Sequence, residues 1–221
     1  MNPITLYEDD NFLIVNKSPG DIVHATLDKS RDNLYDRLKQ SGKYDYLGLH
    51  HRLDKDTSGA ILFTKNEAVN GFVQNAFENH TILKKYWAIT HGEWISLPNE
   101  VITDYLKKEK DKNKIELMIK VTKGGQKAIS LVNTLKKSKT HSLIEFTLKT
   151  GRMHQIRVQS ALRNHPIIGD TFYGKSELDK KFNPQRLFLH SHEIAFEYLG
   201  KKISAIAPID NKFLDLIEKI S

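Results

Sequence analysis

The sequence predicts an α+β protein, with a mixed, largely antiparallel central sheet and flanking helices. Three observations carry that expectation. Short strand-like runs joined by tight connections fill the stretch from Tyr86 to Lys149. Ala68, Val69, Phe72, Val73, Ala76 and Phe77 instead recur at helical spacing and make one apolar face. No internal repeat, low-complexity tract or linker divides the 221 residues, so one domain over residues 1–221 is expected.

In chain order, Phe12 to Asn16 reads as a buried strand, closed by the turn residues Lys17-Ser18-Pro19-Gly20. A short helix is expected from Ser30, with Ser30 as N-cap and Leu34 and Leu38 one turn apart. The charged loop His50-His51-Arg52-Leu53-Asp54-Lys55-Asp56-Thr57-Ser58-Gly59 then separates apolar Tyr46 to Leu49 from a strand at Ala60 to Thr64. Asn66 can cap the helix that ends at Asn79. In the next strand, Lys84 to Gly92, alternation puts Tyr86, Ala88 and Thr90 on one face and Trp87 and Ile89 on the other, with Trp87 the expected core residue.

Strand-like Val101 to Leu106 and Ile115 to Val121 flank Lys107 to Lys114, which reads as a solvated hairpin tip with five lysines against two acids. Gly124-Gly125 turns the chain into strands at Ala128 to Leu135 and Ser142 to Lys149. Thr150 to Arg157 leads into a helix running to about Asn164, which His165-Pro166 ends. Strands at Leu187 to His192 and Ile203 to Ala207 follow. Asp210 can cap a terminal helix with Phe213, Leu214, Ile217 and Ile220 facing inward.

Composition narrows the function classes. No apolar run approaches the roughly 18 residues of a membrane helix, and the N-terminus lacks the basic and apolar regions of a secretory signal. The absence of cysteine excludes disulfides and thiolate metal sites and agrees with a reducing compartment, so a cytoplasmic protein is expected. An excess of 34 Lys+Arg over 27 Asp+Glu gives a net charge of +7, which favours a polyanionic partner.

Several chemistries lack their residues. There is no Gly-x-Gly-x-x-Gly, no Gly-Lys-Ser/Thr phosphate loop and no Gly-x-Ser-x-Gly. His190 and His192 share a strand face but lack a third ligand at metal spacing, so no metal is expected. What remains is the charged loop, with Arg52 and Asp54, and a distant donor set beside Gly151 made of Arg152, His154 and Arg157. A carboxylate paired with arginine stays ionised and suits nucleophilic or base roles. On residue types alone the loop is either a solvated turn or a carboxylate site acting on an anionic polymer.

The ordered set of motifs resembles the RluA-type RNA pseudouridine synthases, whose signature reads His-Arg-Leu-Asp followed by Thr-Ser-Gly, here His51 to Asp54 and Thr57 to Gly59. Tyr7-Glu8-Asp9-Asp10, Leu13 to Lys17, Pro19-Gly20 and Val23-His24 are similar to the family's N-terminal segment. Lys84-x-Tyr86-x-Ala88, Gly125 with Lys127-Ala128, and Thr150-Gly151-Arg152-x-His154-Gln155-Ile156-Arg157 continue the pattern. His165-Pro166-Ile167, Gly169-Asp170, Tyr173-Gly174, Arg186-Leu187-x-Leu189-His190 and Ala207-Pro208 complete it, so the resemblance covers about residues 7 to 208.

By that resemblance the fold is the pseudouridine synthase catalytic domain and the reaction needs no cofactor. Asp54 is implied as the catalytic aspartate, Tyr86 as the ring against the target uracil near its C5 proton, and Arg152 as the partner that orients Asp54. Arg52 is implied to enter the RNA where the target nucleotide flips out, which the chemistry requires because the glycosidic bond must be reached inside a pocket. His51, Thr57 and Arg157 are implied on the RNA-binding side, and Ile156 and Leu189 in the apolar wall. The substrate is expected to be ribosomal or transfer RNA, and the protein a monomer. The departures are Ser18 for proline, Ser130 for threonine, and an additional His50 before the signature. The chain resembles short members that lack a small S4-like RNA-binding domain. Two other readings compete: a non-catalytic RNA-binding or RNA-folding factor on the same scaffold, and a metal nuclease built on His154, His190 and His192.

Overall fold

The computed structural model describes residues 3–24, 31–180 and 182–220. In chain order the elements are β1 (Ile4–Glu8), β2 (Phe12–Lys17), α1 (Leu34–Gln40), β3 (Gly48–Leu49), β4 (Ser58–Thr64), α2 (Asn70–Glu78), β5 (Leu83–His91), β6 (Glu100–Lys110), β7 (Glu116–Lys120) and β8 (Gln126–Lys137). They continue with β9 (His141–Leu148), α3 (Gln155–Leu162), α4 (Ser176–Asp179), β10 (Leu189–Tyr198), β11 (Lys201–Ile206) and α5 (Asn211–Glu218). None of these helices is long and apolar enough to cross a membrane.

The chain divides into two compact units, Met1–Lys84 with His190–Ile209, and Lys85–Leu189 with Asp210–Ser221. In the first unit β2 lies antiparallel between β1 and β4, while β10 runs parallel to β4 and antiparallel to β11. All seven residues of β4 are buried, which is why it reads as a near-continuous apolar run after Gly59. Phe12 and Ile14 of β2 and Ala60 and Leu62 of β4 share a core with Val73 and Ala76 of α2 and with Ile194 and Phe196 of β10. The Phe12 ring meets Phe196 edge-on at 5.1 Å.

The second unit is an antiparallel ladder, β5–β9–β8–β6–β7. Leu106, Met118 and Ala128 on three of its strands pack with Val158 of α3. The fold class is therefore the α+β arrangement expected, largely antiparallel, with the β4–β10 pair parallel.

Several local expectations are corrected. α1 is capped by Asn33, whose side chain accepts from Asp36 N–H at 2.9 Å, while Ser30 lies outside the described residues. In β5 it is Tyr86 and Ala88 that are buried; Trp87 is half-buried and stands opposite Glu145 of β9, on the more polar face. Lys107 to Lys110 belong to β6, because pairing with β7 continues to Lys110–Glu116. The turn proper is Asp111 to Ile115, where the Asp111 carboxylate accepts from Asn113 and Ile115 N–H. In α5 Leu216 is buried in place of Leu214, which is exposed, and Asp210 caps the helix as expected. β1 and the four-residue α4 carry no sequence pattern strong enough to announce them.

Candidate active site

The Asp54 loop belongs to the first unit and is fastened at both ends. Thr57 N–H donates to the Asp54 carbonyl at 3.1 Å, closing a tight turn over the two exposed residues Lys55 and Asp56. The carbonyl of Lys55, one residue past Asp54, accepts from Gly20 N–H at 2.9 Å and from the Lys17 ammonium at 2.8 Å. Lys17 is fully buried, and its other donors reach the carbonyls of Ser18 and Asp21 at 3.0 and 2.8 Å. A buried charge is tolerated only when hydrogen-bonded in this way.

At the exit, Ser58 Oγ pairs with His190 Nδ1 at 2.8 Å, and Gly59 has φ +110°. A Cβ there would lie 2.2 Å from the Ser191 carbonyl oxygen, so the signature glycine is what lets β10 lie against β4 at this pair. Arg52 is exposed, Leu53 is buried beneath the loop and Asp54 is half-buried. That leaves an exposed cation and a partly shielded carboxylate on one constrained segment.

The other two residues implied in chemistry lie in the second unit. Tyr86 is buried in β5 and pairs in register with Phe146 of β9. Arg152 stands before α3, its Nε donating to the Lys127 carbonyl at 3.1 Å. Its backbone N–H donates to Gln155 Oε1, which also accepts from Thr150 Oγ1, while Gln155 Nε2 donates to the Ile129 carbonyl and Ser130 Oγ. Gln159 extends this buried network to Ser130, Asp104 and the Ala128 carbonyl. Ser130, noted as a departure from threonine, is thus an interior hydrogen-bonding residue. Ile156 and Leu189 are buried apolar side chains.

Three residues implied in RNA contact also have structural partners within the protein. His51 Nε2 accepts from Leu62 N–H at 2.9 Å, and its ring lies 4.7 Å from that of Phe77. Burial, reinforced by the charge of Lys84, lowers its pKa to about 3, so it is neutral and locks the loop to β4. Arg157 is 4% exposed and makes a two-pronged pair with Asp170, at 2.8 Å on each prong. Its guanidinium also faces the Phe172 and Tyr173 rings, so it fastens the turn after α3. Thr57 is buried and serves the loop turn. A metal reading loses His190, because both its ring nitrogens are engaged, the second with the Ala207 carbonyl at 3.1 Å. No group of three or more potential metal ligands occurs among the described residues.

Reading the sequence by itself missed the supports: Lys17 under the loop, Gln155 and Gln159 under Arg152, and Asp170 and Tyr173 beside α3. Asp170 also accepts from Phe172 and Tyr173 N–H. Burial raises its pKa, but Arg157 and those two amides outweigh burial and hold the carboxyl below its ordinary value. Tyr173 OH accepts from Met118 N–H at 2.8 Å and reaches His154 Nδ1 at 2.9 Å. The only signal for Lys17, Gln155, Asp170 and Tyr173 was their place in the ordered motif set, and Gln159 lies outside it.

The fold defines the class first. The chain is similar in structure to Human RNA Pseudouridylate Synthase Domain Containing 1, with a TM-score of 0.79 at 21% identity over 99% of this chain and 94% of that one. It is also similar to Human RNA Pseudouridylate Synthase Domain Containing 4, with a TM-score of 0.76 at 24% identity over 98% and 92%. Both share the pseudouridine synthase fold.

The sequence profile described as RNA pseudouridylate synthase matches residues 11–162, a span that holds the Asp54 loop, Tyr86 and Arg152, and the chain belongs to that family. It is 35% identical to "Ribosomal large subunit pseudouridine synthase C" of Buchnera aphidicola subsp. Baizongia pistaciae, over 99% of this chain and 71% of that protein. It is 36% identical to the protein of the same name from Rickettsia felis, over 95% and 68%. The protein is an RNA pseudouridine synthase, an isomerase that converts uridine in RNA to pseudouridine.

Proposed function

We propose that the substrate is ribosomal RNA and that Asp54, Tyr86 and Arg152 carry the reaction, both units serving one catalytic domain in a monomeric cytoplasmic enzyme. The observation that carries this reading is the fastening of the Asp54 loop, by Thr57 N–H on one side and by Lys17 and Gly20 on the Lys55 carbonyl on the other. A carboxylate that must meet one ribose carbon needs its backbone held before substrate arrives. The names of the relatives favour ribosomal over transfer RNA as substrate.

In the proposed reaction Arg52, exposed two residues before Asp54, fills the space the target nucleotide leaves when it flips out. Asp54 acts at the sugar as the N1–C1′ bond breaks. The uracil turns and the C5–C1′ bond forms, and C5 then gives up its proton near Tyr86. Arg152 has the role of orienting the aspartate. Atoms balance without any redox partner, since the product is an isomer of the substrate.

Tritium release from RNA labelled at uracil C5 tests the assignment. Wild type should release tritium, and Asp54→Asn should lose at least about 10²–10⁴-fold of the rate, the usual worth of such a group, with binding retained. Turnover by Asp54→Asn close to wild type would overturn it. Pseudouridine mapping in cells with and without the gene identifies the RNA. A lost signal in transfer RNA alone would replace the ribosomal assignment.

A further inference from the structure

A pocket in the first unit lies beside the Asp54 loop, and of its lining residues only Arg52 has a part in the reaction as assigned. It has a volume of about 470 Å³, and His24, Tyr35, Leu49, His50, His51 and Arg52 line it. That falls within the roughly 300–1,000 Å³ of ligand sites. Asp54 is not among its described lining residues, yet the exposed Arg52, two residues earlier in the chain, is.

The hydrogen bonds of its two central histidines fix what each ring offers. Thr64 Oγ1 spends its proton on Asn70 Oδ1 at 2.7 Å, so His50 Nε2, at 3.0 Å from Thr64 Oγ1 and 3.2 Å from Asn70 Oδ1, must be the donor. Burial lowers the pKa of His50, so the ring is neutral and its Nδ1 is an acceptor. His51 is the opposite tautomer: Nε2 accepts from Leu62 N–H, so Nδ1 carries the proton. Two adjacent neutral imidazoles in the pocket's lining therefore carry one acceptor and one donor at Nδ1. The Tyr35 ring is held by its OH bond to the Leu47 carbonyl at 3.0 Å, and the exposed Arg52 supplies positive charge at the mouth.

We propose that this pocket receives a second base of the RNA substrate, a neighbour of the target uridine, and reads its edge through His50 and His51. Every nucleobase carries a donor beside an acceptor on its pairing edge, and bases leaving a stack are typically held by aromatic side chains and hydrogen bonds to that edge. Arg52, which takes the target's place in the stack, also lines the pocket and so keeps a neighbouring base within its reach. His50, an addition in front of the family signature, is then a specificity residue of this chain.

The proposal rests on the Asp54 loop being the active loop, and its test keeps the two apart. RNA hairpins around the mapped uridine are made with a single abasic nucleotide at each flanking position, and affinity is read by fluorescence anisotropy, independently of turnover. One abasic position should weaken wild-type binding about tenfold, in the range that one stacked base is worth. His50→Val should weaken binding to intact RNA by a similar factor and add less than twofold on that abasic RNA. His50→Gln, which keeps an acceptor, should recover most of the affinity.

Uniform affinity across the abasic series in wild type would overturn the pocket assignment whether or not any variant folds. So would losses that multiply between His50→Val and the abasic position. Uridine monophosphate binding that His50→Val weakens, without any abasic effect, would assign the pocket to a free nucleotide instead. Tritium release by the same proteins judges Asp54 separately.

Discussion

Gly59 shows how narrow the residue requirements around Asp54 are. Its φ of +110° and the 2.2 Å approach of a built Cβ to the Ser191 carbonyl leave no room for any side chain. Gly59→Ala should therefore cost at least about 2 kcal/mol in urea unfolding, since backbone strain and a backbone clash act together. An unchanged midpoint would mean that β4 and β10 separate without penalty.

His51 makes a second residue-level prediction. Its folded pKa of about 3 lies below its ordinary value of 6.5, so the unfolded chain takes up the proton first on acidification. Its contribution to stability is complete above pH 6.5 and is lost as the pH falls toward 3. The urea midpoint of wild type should drop between neutral pH and pH about 4.5, and His51→Gln should flatten that slope. An unaltered slope in the variant would place the acid sensitivity elsewhere.

At the scale of elements, α3 and the turns beside it act as a mount for Arg152. The helix buries Gln155 and Gln159, which reach the β8 backbone, and Arg157, which clasps Asp170. Removing one partner strands the other charge in the interior. Asp170→Asn should destabilise the protein by about 3–5 kcal/mol, whereas replacing Arg157 and Asp170 together by Met and Leu should cost far less. If the two variants melt alike, the pair is not the fastening that its geometry implies. The carboxylates of Asp170 and Asp104 both sit below their ordinary pKa; their share of stability is present above the ordinary carboxylate range and lost below it.

At the scale of the whole molecule, the net charge of +7 bears on RNA affinity. The β6–β7 hairpin carries Lys107, Lys110, Lys112 and Lys114, and Lys108 shares its charge with Glu116 at 2.5 Å. Affinity for RNA should fall steeply with salt. Changing those four lysines to glutamine should lower the slope of log K against log salt by about 0.7–0.9 for each phosphate that is no longer neutralised. A slope unaffected by all four changes would move the RNA path off this hairpin.

Much of the fold was legible because it follows local rules. Strand periodicity found β2 and β4 to β11, and caps were read from side-chain type at Asp210 and at Asn66, the latter closing the 3-10 turn Glu67–Val69 ahead of α2. The errors came where neighbours decide: Trp87 lost its core place because β9 puts Glu145 opposite it, and Lys107 to Lys110 joined a strand because β7 offered partners. The reaction class was carried by motifs whose residues are chemically irreplaceable, above all Asp54. What each motif residue does was a tertiary matter. Arg157 looks like an RNA-binding group in a linear reading, yet a buried carboxylate claims it, while a strand amide takes Nε2 of His51 and so fixes the proton on Nδ1. Sequence by itself determined which reactive groups exist and in what order. Only the folded structure decided which remain available, because a hydrogen bond or a buried charge partner supplied from a distant segment fixes a side chain's protonation and reach, and that partner has no signature at the residue it constrains.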